Sequence, residues 1–193
     1  MKIFLDFDDT ITQSIENIVR IINQRYNKNI TIADIGEWDF SDVCPDIPLA
    51  DIIKIFGEDE FFNTLRLKKD AMRTIARFSR YNEIYIVSKV DMSSVTKKDK
   101  YIKTHLIGKN IRFIGVPLGK TKGIIDMRDG IMVDDNADFL RETNAKYKIL
   151  YKNKRKFDDL QEWNGLIVHD WAELYQLLNK IITNEKGFIN GKI

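Results

Sequence analysis

The sequence predicts an α/β fold: a Rossmann-like three-layer parallel sheet with a small helical cap inserted after the first strand. Three observations carry that reading. Short apolar runs alternate with stretches of helical periodicity, which is the pattern of a parallel sheet with right-handed crossovers. Two of the runs stop abruptly in paired acids, at Asp6-Phe7-Asp8-Asp9 and at Asp134-Asp135, so carboxylates collect at the strand ends where open α/β sheets bind ligands. Between the first and second runs, from Asn29 to Asn63, both periodicities fail around Trp38, Asp39, Phe40, Pro45 and Pro48 before a helical pattern resumes. The organisation expected is one domain, with a core of residues 1–12 and 65–184 and a cap of about 13–64.

The first strand is the apolar run of residues 3–5, ending where the acids emerge. Thr12 is the expected N-cap of a helix whose stripe is Ile15, Ile18, Val19 and Ile22 and which ends near Tyr26-Asn27. In the insertion, residues 49–56 read as helical and Phe61-Phe62 follow. A helix over residues 67–80 buries Met72, Ile75, Ala76 and Phe78, and the second strand covers residues 83–88, ending in a hydroxyl. Residues 92–108 form a charged helix whose lysines 97, 98, 100 and 103 read as a solvated face. The third strand covers 111–116, and Pro117-Leu118-Gly119 turns the chain into a short helix from Lys120 through Met127. Strands follow at 131–133, 147–150 and 166–168, with a basic loop at 152–156 and an amphipathic helix over 171–182. Residues after Asn184 are expected to fray.

At 193 residues the chain suits one compact domain that buries a core, and with 3 prolines, no low-complexity linker and no internal repeat a tandem architecture is not expected. Charged residues make up 31% and nearly cancel, leaving net +2, so the balance argues against nucleic acid or a membrane surface as the partner. The single Cys44 cannot form an internal disulfide, and no segment resembles a signal or spans a membrane; both point to a reducing, cytoplasmic setting. His105 and His169 have no acids at metal-ligand spacing and read as structural or surface residues. Oligomeric state, including a homodimer, is left open.

Asp6 and Asp8 lie two residues apart, so an extended backbone would point both carboxylates the same way. Converging carboxylates need a cation between them, and oxygen ligands favour Mg²⁺. If the strand at 131–133 lies beside the first, Asp134 completes that site, while Asp135 or Asn136 reads equally well as the cap of the next helix. A lysine at a helix start opposes the macrodipole unless an anion is held there, which singles out Lys122, with Lys120 as the alternative. Aromatics in the insertion, Trp38, Phe61 and Phe62, either fill its core or stack on a flat substrate group.

Asp6-Phe7-Asp8-Asp9-Thr10 resembles the nucleophile motif of the haloacid dehalogenase (HAD) superfamily of phosphohydrolases, and a hydroxyl, a lysine and an acid pair follow in that family's order at Ser88, Lys122 and Asp134-Asp135. A receiver-like signalling module, the rival reading of another class, fits less well, because the opening strand already carries Asp-x-Asp-x-Thr and is followed by a large insertion. Within the superfamily the chain is similar to the 5'(3')-deoxyribonucleotidases over nearly its whole length, through the opening motif, Phe61-Phe62, Lys100-Tyr101, Val133-Asp134-Asp135 and His169-Asp170-Trp171. The resemblance implies a Mg²⁺-dependent phosphomonoesterase acting on nucleoside monophosphates. Asp6 would be the nucleophile and Asp8 the acid/base. Thr10, Ser88, the Lys89 amide and Lys122 would bind the phosphoryl group, and Asp6, the Asp8 carbonyl and Asp134 would hold the metal. A narrower alternative, a phosphatase of another phosphate ester or of nucleic-acid 3'-ends, is motivated by the basic stretches 97–103 and 152–156.

Overall fold

A computed structural model of the chain describes residues 1–190. Six parallel strands form one sheet in the order β3-β2-β1-β4-β5-β6. They are β1 (Lys2–Asp6), β2 (Glu83–Val90), β3 (Ile111–Pro117), β4 (Gly130–Asp134), β5 (Tyr147–Tyr151) and β6 (Leu166–Val168). The chain winds outward from β1 through β2 to β3, returns to β4 on the other side of β1, and then continues outward. The direction therefore reverses at β1 and β4, and the loops leaving their carboxyl ends separate to open a crevice.

Alternation along β1 shows why the sheet is covered on both sides. Ile3 and Leu5 enter a cluster with Ile84, Ile86, Ile131, Val133 and Ile149, roofed by helices, whereas Phe4 enters a second cluster with Val87, Met132, Leu140 and Leu150 on the opposite face. The first cluster is closed by α1 (Ser14–Tyr26), α4 (Ala71–Phe78), α5 (Val95–His105) and α8 (Trp171–Asn190), the second by α6 (Ala137–Glu142). Among the described residues, no helix is long and apolar enough to cross a membrane.

The excursion between β1 and α4 carries α1, α2 (Leu49–Ile55) and α3 (Asp59–Thr64). Its two ends are stitched together by an antiparallel bridge between Thr12 and Leu67, with the Gln13 amide donating to the Arg66 carbonyl and the Lys68 amide to the Ile11 carbonyl, each at 2.9 Å.

Several elements differ from the sequence expectation. Helix α1 begins at Ser14, and the Thr12 hydroxyl bonds the Phe7 carbonyl and Ser14 instead of capping it; the Ile15 amide is taken by Asp9 Oδ1 at 2.9 Å. Met72 is exposed on α4, because a left-handed Asp70 starts that helix late and rotates Ala71, Thr74, Ile75 and Phe78 inward. The helix expected over 120–127 is a single 3₁₀ turn, Lys122–Ile124. The basic loop contains a short helix, α7 (Lys156–Leu160). The last helix runs on to Asn190, past the expected end; the remainder of the tail expected to fray, residues 191–193, lies outside the described residues.

Trp171, fully buried at the start of α8, donates its Nε1 proton to the Thr10 carbonyl at 3.0 Å and so fastens the loop after β1 to the end of the chain. Trp171→Phe keeps an aromatic ring and orphans that carbonyl. The expected loss is about 1–3 kcal/mol, read by chemical denaturation, with a larger proportional loss of turnover than a surface substitution of equal destabilisation produces.

Candidate active site

The pairing of β1 with both β2 and β4 brings the strand-end residues together. Asp6 lies opposite Val87, one residue before Ser88, and Leu5 lies opposite Val133, one residue before Asp134. Lys122 reaches the same point from the 3₁₀ turn after β3. Its Nζ donates to Asp6 Oδ1 at 2.5 Å and to Asp134 Oδ2 at 2.6 Å, and all three side chains are buried. The turn is seated closely: a Cβ on Gly123 would stand 2.4 Å from the Glu142 carbonyl oxygen, so only glycine lets Lys122 come this deep. Lys120, the alternative lysine, is exposed.

Acids exceed neutralising charge here. Burial raises the Asp6 carboxyl above its ordinary range, with Lys122 opposing and Asp134 and Asp8 adding to the rise. Asp134 is raised by burial against Lys122, and Asp135 by burial against Arg155. Burial alone would lower the Lys122 ammonium, but Asp134 and Asp6 outweigh it and hold it well above the usual lysine range. Oxygens of Asp6, Asp134 and Asp135 all lie within 4.8 Å of one another. Asp134 has both oxygens engaged, Oδ2 by Lys122 and Oδ1 by the Asn136 amide at 3.0 Å. Asp6 Oδ2 and Asp135 Oδ1, by contrast, accept nothing from the described residues. The donor set therefore fits a hard divalent cation; Asp135, left open by the sequence between helix cap and cation ligand, has an oxygen free for it, while Asn136 caps α6.

Asp8 is placed differently from the sequence expectation. The strand ends at Asp6, and the Ile11 and Thr12 amides both fold back onto the Phe7 carbonyl, so strand alternation does not aim Asp8. Its carboxylate is instead held from three sides: Ser14 Oγ donates to Oδ1 at 2.8 Å, and Lys98 Nζ and Ser88 Oγ donate to Oδ2 at 2.6 and 3.1 Å. Its side chain keeps 26% exposure against 7% for Asp6 and 1% for Asp134, which makes Asp8 the acid with access to solvent. Thr10 is buried, and its hydroxyl has no partner among the described residues.

Lys98 overturns the expectation that the lysines of α5 form a solvated face. It is buried, bonds Ser88 Oγ at 2.9 Å as well as Asp8, and sits 4.8 Å from the centre of the Phe7 ring. Helical spacing carried the signal, since Lys98 shares the inner stripe with Tyr101 and Ile102. Lys89 lies inside the β2–β3 ladder, with its ammonium 4.3 Å from the Phe139 ring centre. Of the insertion aromatics, Phe61 is fully buried between Phe56 and Phe62, so it is core and not a wall open to a ligand; Trp38 is 60% exposed, and Phe62 is partly buried against Tyr101. Within the basic stretches Lys97 pairs with Asp59, Lys103 with Asp99, and Arg155 is buried among acids, whereas Lys100, Lys152, Lys154 and Lys156 form no ion pair among the described residues.

Raised carboxyl groups bind protons in the folded chain that the unfolded chain has released. From the ordinary carboxylate value of 3.8 upward, Asp6, Asp134 and Asp135 therefore make the fold less stable as pH rises. A cation that binds the ionised acids opposes this. Saturating Mg²⁺ is expected to raise the melting temperature by several degrees more at about pH 8 than at about pH 5.5, given roughly 2–4 °C per kcal/mol for a chain of this size. Scanning calorimetry at both pH values reads it, and an equal shift at the two would contradict the acid cluster as the site of binding.

The comparisons with known proteins agree with this geometry. The family described as "5' nucleotidase, deoxy (Pyrimidine), cytosolic type C protein" matches the chain over residues 1–185. Among solved structures, a haloacid dehalogenase-like family hydrolase from Streptococcus pneumoniae superposes with a TM-score of 0.63 at 15% identity, covering 92% of this chain and 97% of that one. The HAD hydrolase YfnB of Bacillus subtilis, in a magnesium-bound form, gives 0.57 at 14% identity, covering 92% and 98%. At those identities the structures speak for the fold alone. No curated protein matches the chain. With the family match spanning almost its entire length, the chain belongs to the cytosolic type C 5'-nucleotidase family of HAD-like phosphoric monoester hydrolases.

Proposed function

We propose that the chain is a Mg²⁺-dependent phosphatase of (deoxy)nucleoside monophosphates that works through an aspartyl-phosphate on Asp6. The observation that carries this reading is the buried Lys122 ammonium spanning Asp6 and Asp134, with Asp135 beside them.

In the first step an Asp6 oxygen attacks phosphorus, the bond from phosphorus to the ester oxygen breaks, and the leaving alcohol takes a proton from Asp8. In the second, Asp8 takes a proton from water as the water attacks phosphorus, the Asp6–phosphorus bond breaks, and inorganic phosphate leaves. Asp8 suits both proton transfers because its carboxylate is fixed by Ser14, Ser88 and Lys98 yet keeps contact with solvent. The unpartnered Thr10 hydroxyl and Lys122 are donors for the phosphoryl oxygens, and Ser88 becomes one on turning its proton from Asp8. Mg²⁺ held by Asp6, the Asp8 carbonyl and the Asp134-Asp135 pair would neutralise charge on the phosphoryl group and the attacking carboxylate.

Leaving-group preference belongs to the insertion; of the three aromatics singled out there, Trp38 and Phe62 keep the exposure that Phe61 lacks. The reading as an end-processing phosphatase of nucleic acid loses part of its support, because Lys98 and Arg155 are committed to internal acids.

Phosphate release from nucleoside monophosphates, sugar phosphates and 3'-phosphorylated oligonucleotides, with and without Mg²⁺, tests the assignment; the nucleotides should react fastest and only with the metal. Asp6→Asn should reduce turnover to background in a folded protein, and residual Mg²⁺-dependent activity would remove Asp6 as nucleophile. Lys98→Met should lower kcat by about tenfold or more, part of the roughly 10²–10⁴-fold that a placed acid/base supplies, with little change in KM. A mutant with wild-type kcat would detach Lys98 from the chemistry.

A further inference from the structure

Arg155 precedes α7 and turns inward, with its side chain only 6% exposed. Its guanidinium meets three acids. Nε and Nη2 grip Asp158 at 2.8 and 2.9 Å, Nη2 also donates to Asp135 Oδ2 at 2.7 Å, and Nη1 stands 3.2 Å from Asp9 Oδ2. Asp158, itself fully buried, also accepts the Arg155 amide at 3.0 Å, so one acid fixes the arginine and the arginine fixes the other two.

Of those two acids, Asp135 belongs to the candidate cation site and Asp9 to the turn that carries Asp8. Asp135 offers its free oxygen there, with the other oxygen occupied by Arg155. Asp9 follows Asp8 directly and holds a left-handed backbone with φ 54°, its second oxygen accepting the Ile15 amide that starts α1. We infer that Arg155 is a positioning residue: it locks the Asp8-Asp9 turn and the Asp135 carboxylate into one geometry, and so sets the affinity of the site for its divalent cation without touching the metal. The inference rests on the proposed reading of this site as cation-dependent. Arginine is required by the shape of the task, because three acids in different directions need a planar fork, and a lysine ammonium on the same backbone cannot reach all three at once. Neutralising the buried Asp135 and Asp9 serves folding as well, so the cation affinity of a folded variant, and not its stability, distinguishes the positioning role.

The test is a titration of the full-length protein with Mn²⁺ as a stand-in for Mg²⁺, without substrate, with free Mn²⁺ read by electron paramagnetic resonance and folding checked by circular dichroism. Wild type should bind Mn²⁺ in competition with Mg²⁺, and Asp135→Asn should bind far more weakly. Arg155→Lys and Arg155→Met should weaken binding by about 10–100-fold, the usual cost of losing a partner that orients a metal ligand, with lysine the milder of the two. A folded Arg155→Lys protein that binds Mn²⁺ within about threefold of wild type would overturn the positioning role and leave the cation site standing. Absence of binding by wild type, or wild-type binding by Asp135→Asn, would overturn the cation reading and this inference with it. Should neither Arg155 variant fold, Asp9→Asn, which keeps the cap acceptor and removes the ion pair, decides by the same criterion.

Discussion

The Lys122 ammonium, sealed between Asp6 and Asp134, is the contact around which the rest of the structure is arranged. Three carboxylates at one strand edge repel one another and resist burial, so the rim closes only where compensating charge is brought in. The chain brings that charge from far apart in sequence. Lys122 comes from the turn after β3, Lys98 from α5 and Arg155 from the entry to α7, each answering a different acid. Acids still outnumber these cations, and burial above all raises Asp6, Asp134 and Asp135 over the usual carboxylate range. In the proposed function that surplus of acids is what a cation would answer, and the cation in turn a phosphoryl group.

The division of labour among the cations follows from where each is rooted. Lys122 lies behind the acids, in a turn so closely packed against the Glu142 carbonyl that it has little freedom. Lys98 stands on a helix and meets Asp8 at the more open side, beside Ser88. Asp6 and Asp8, two residues apart, therefore experience different surroundings, one buried and the other in contact with water, as the proposed nucleophilic and proton-transfer roles require.

Much of this was legible in the sequence, and what was not has identifiable physical causes. Strand-end acids mark their own strands, because an apolar run must be buried while the carboxylates that end it must reach the rim; hence β1, β4 and their adjacency could be read from the residues. Lys122 could be singled out, although for a reason that does not hold: it lies in a 3₁₀ turn and not at the start of a true helix, and what draws it inward is the acid pair. Lys98 was hidden by its neighbours, since a run of lysines reads as solvated unless the helical phase of each is weighed against an acid contributed by another element. Asp135 was hidden by an ambiguity of position, as any acid just before a helix can serve as its cap. Arg155 could not be read at all, because all of its meaning comes from three acids brought together by tertiary structure.

The bridge between Thr12 and Leu67 has a further consequence. It returns the chain to the point from which it left, so residues 13–66 form a closed excursion whose two ends are fixed to each other as well as to the sheet. The entropy of closing such a loop grows only with the logarithm of its length. Lengthening the loops between α1 and α3 would thus cost little, whereas α1, whose Ile18, Ile21 and Ile22 roof the sheet, stays tied to the register of β1 against β2 and β4.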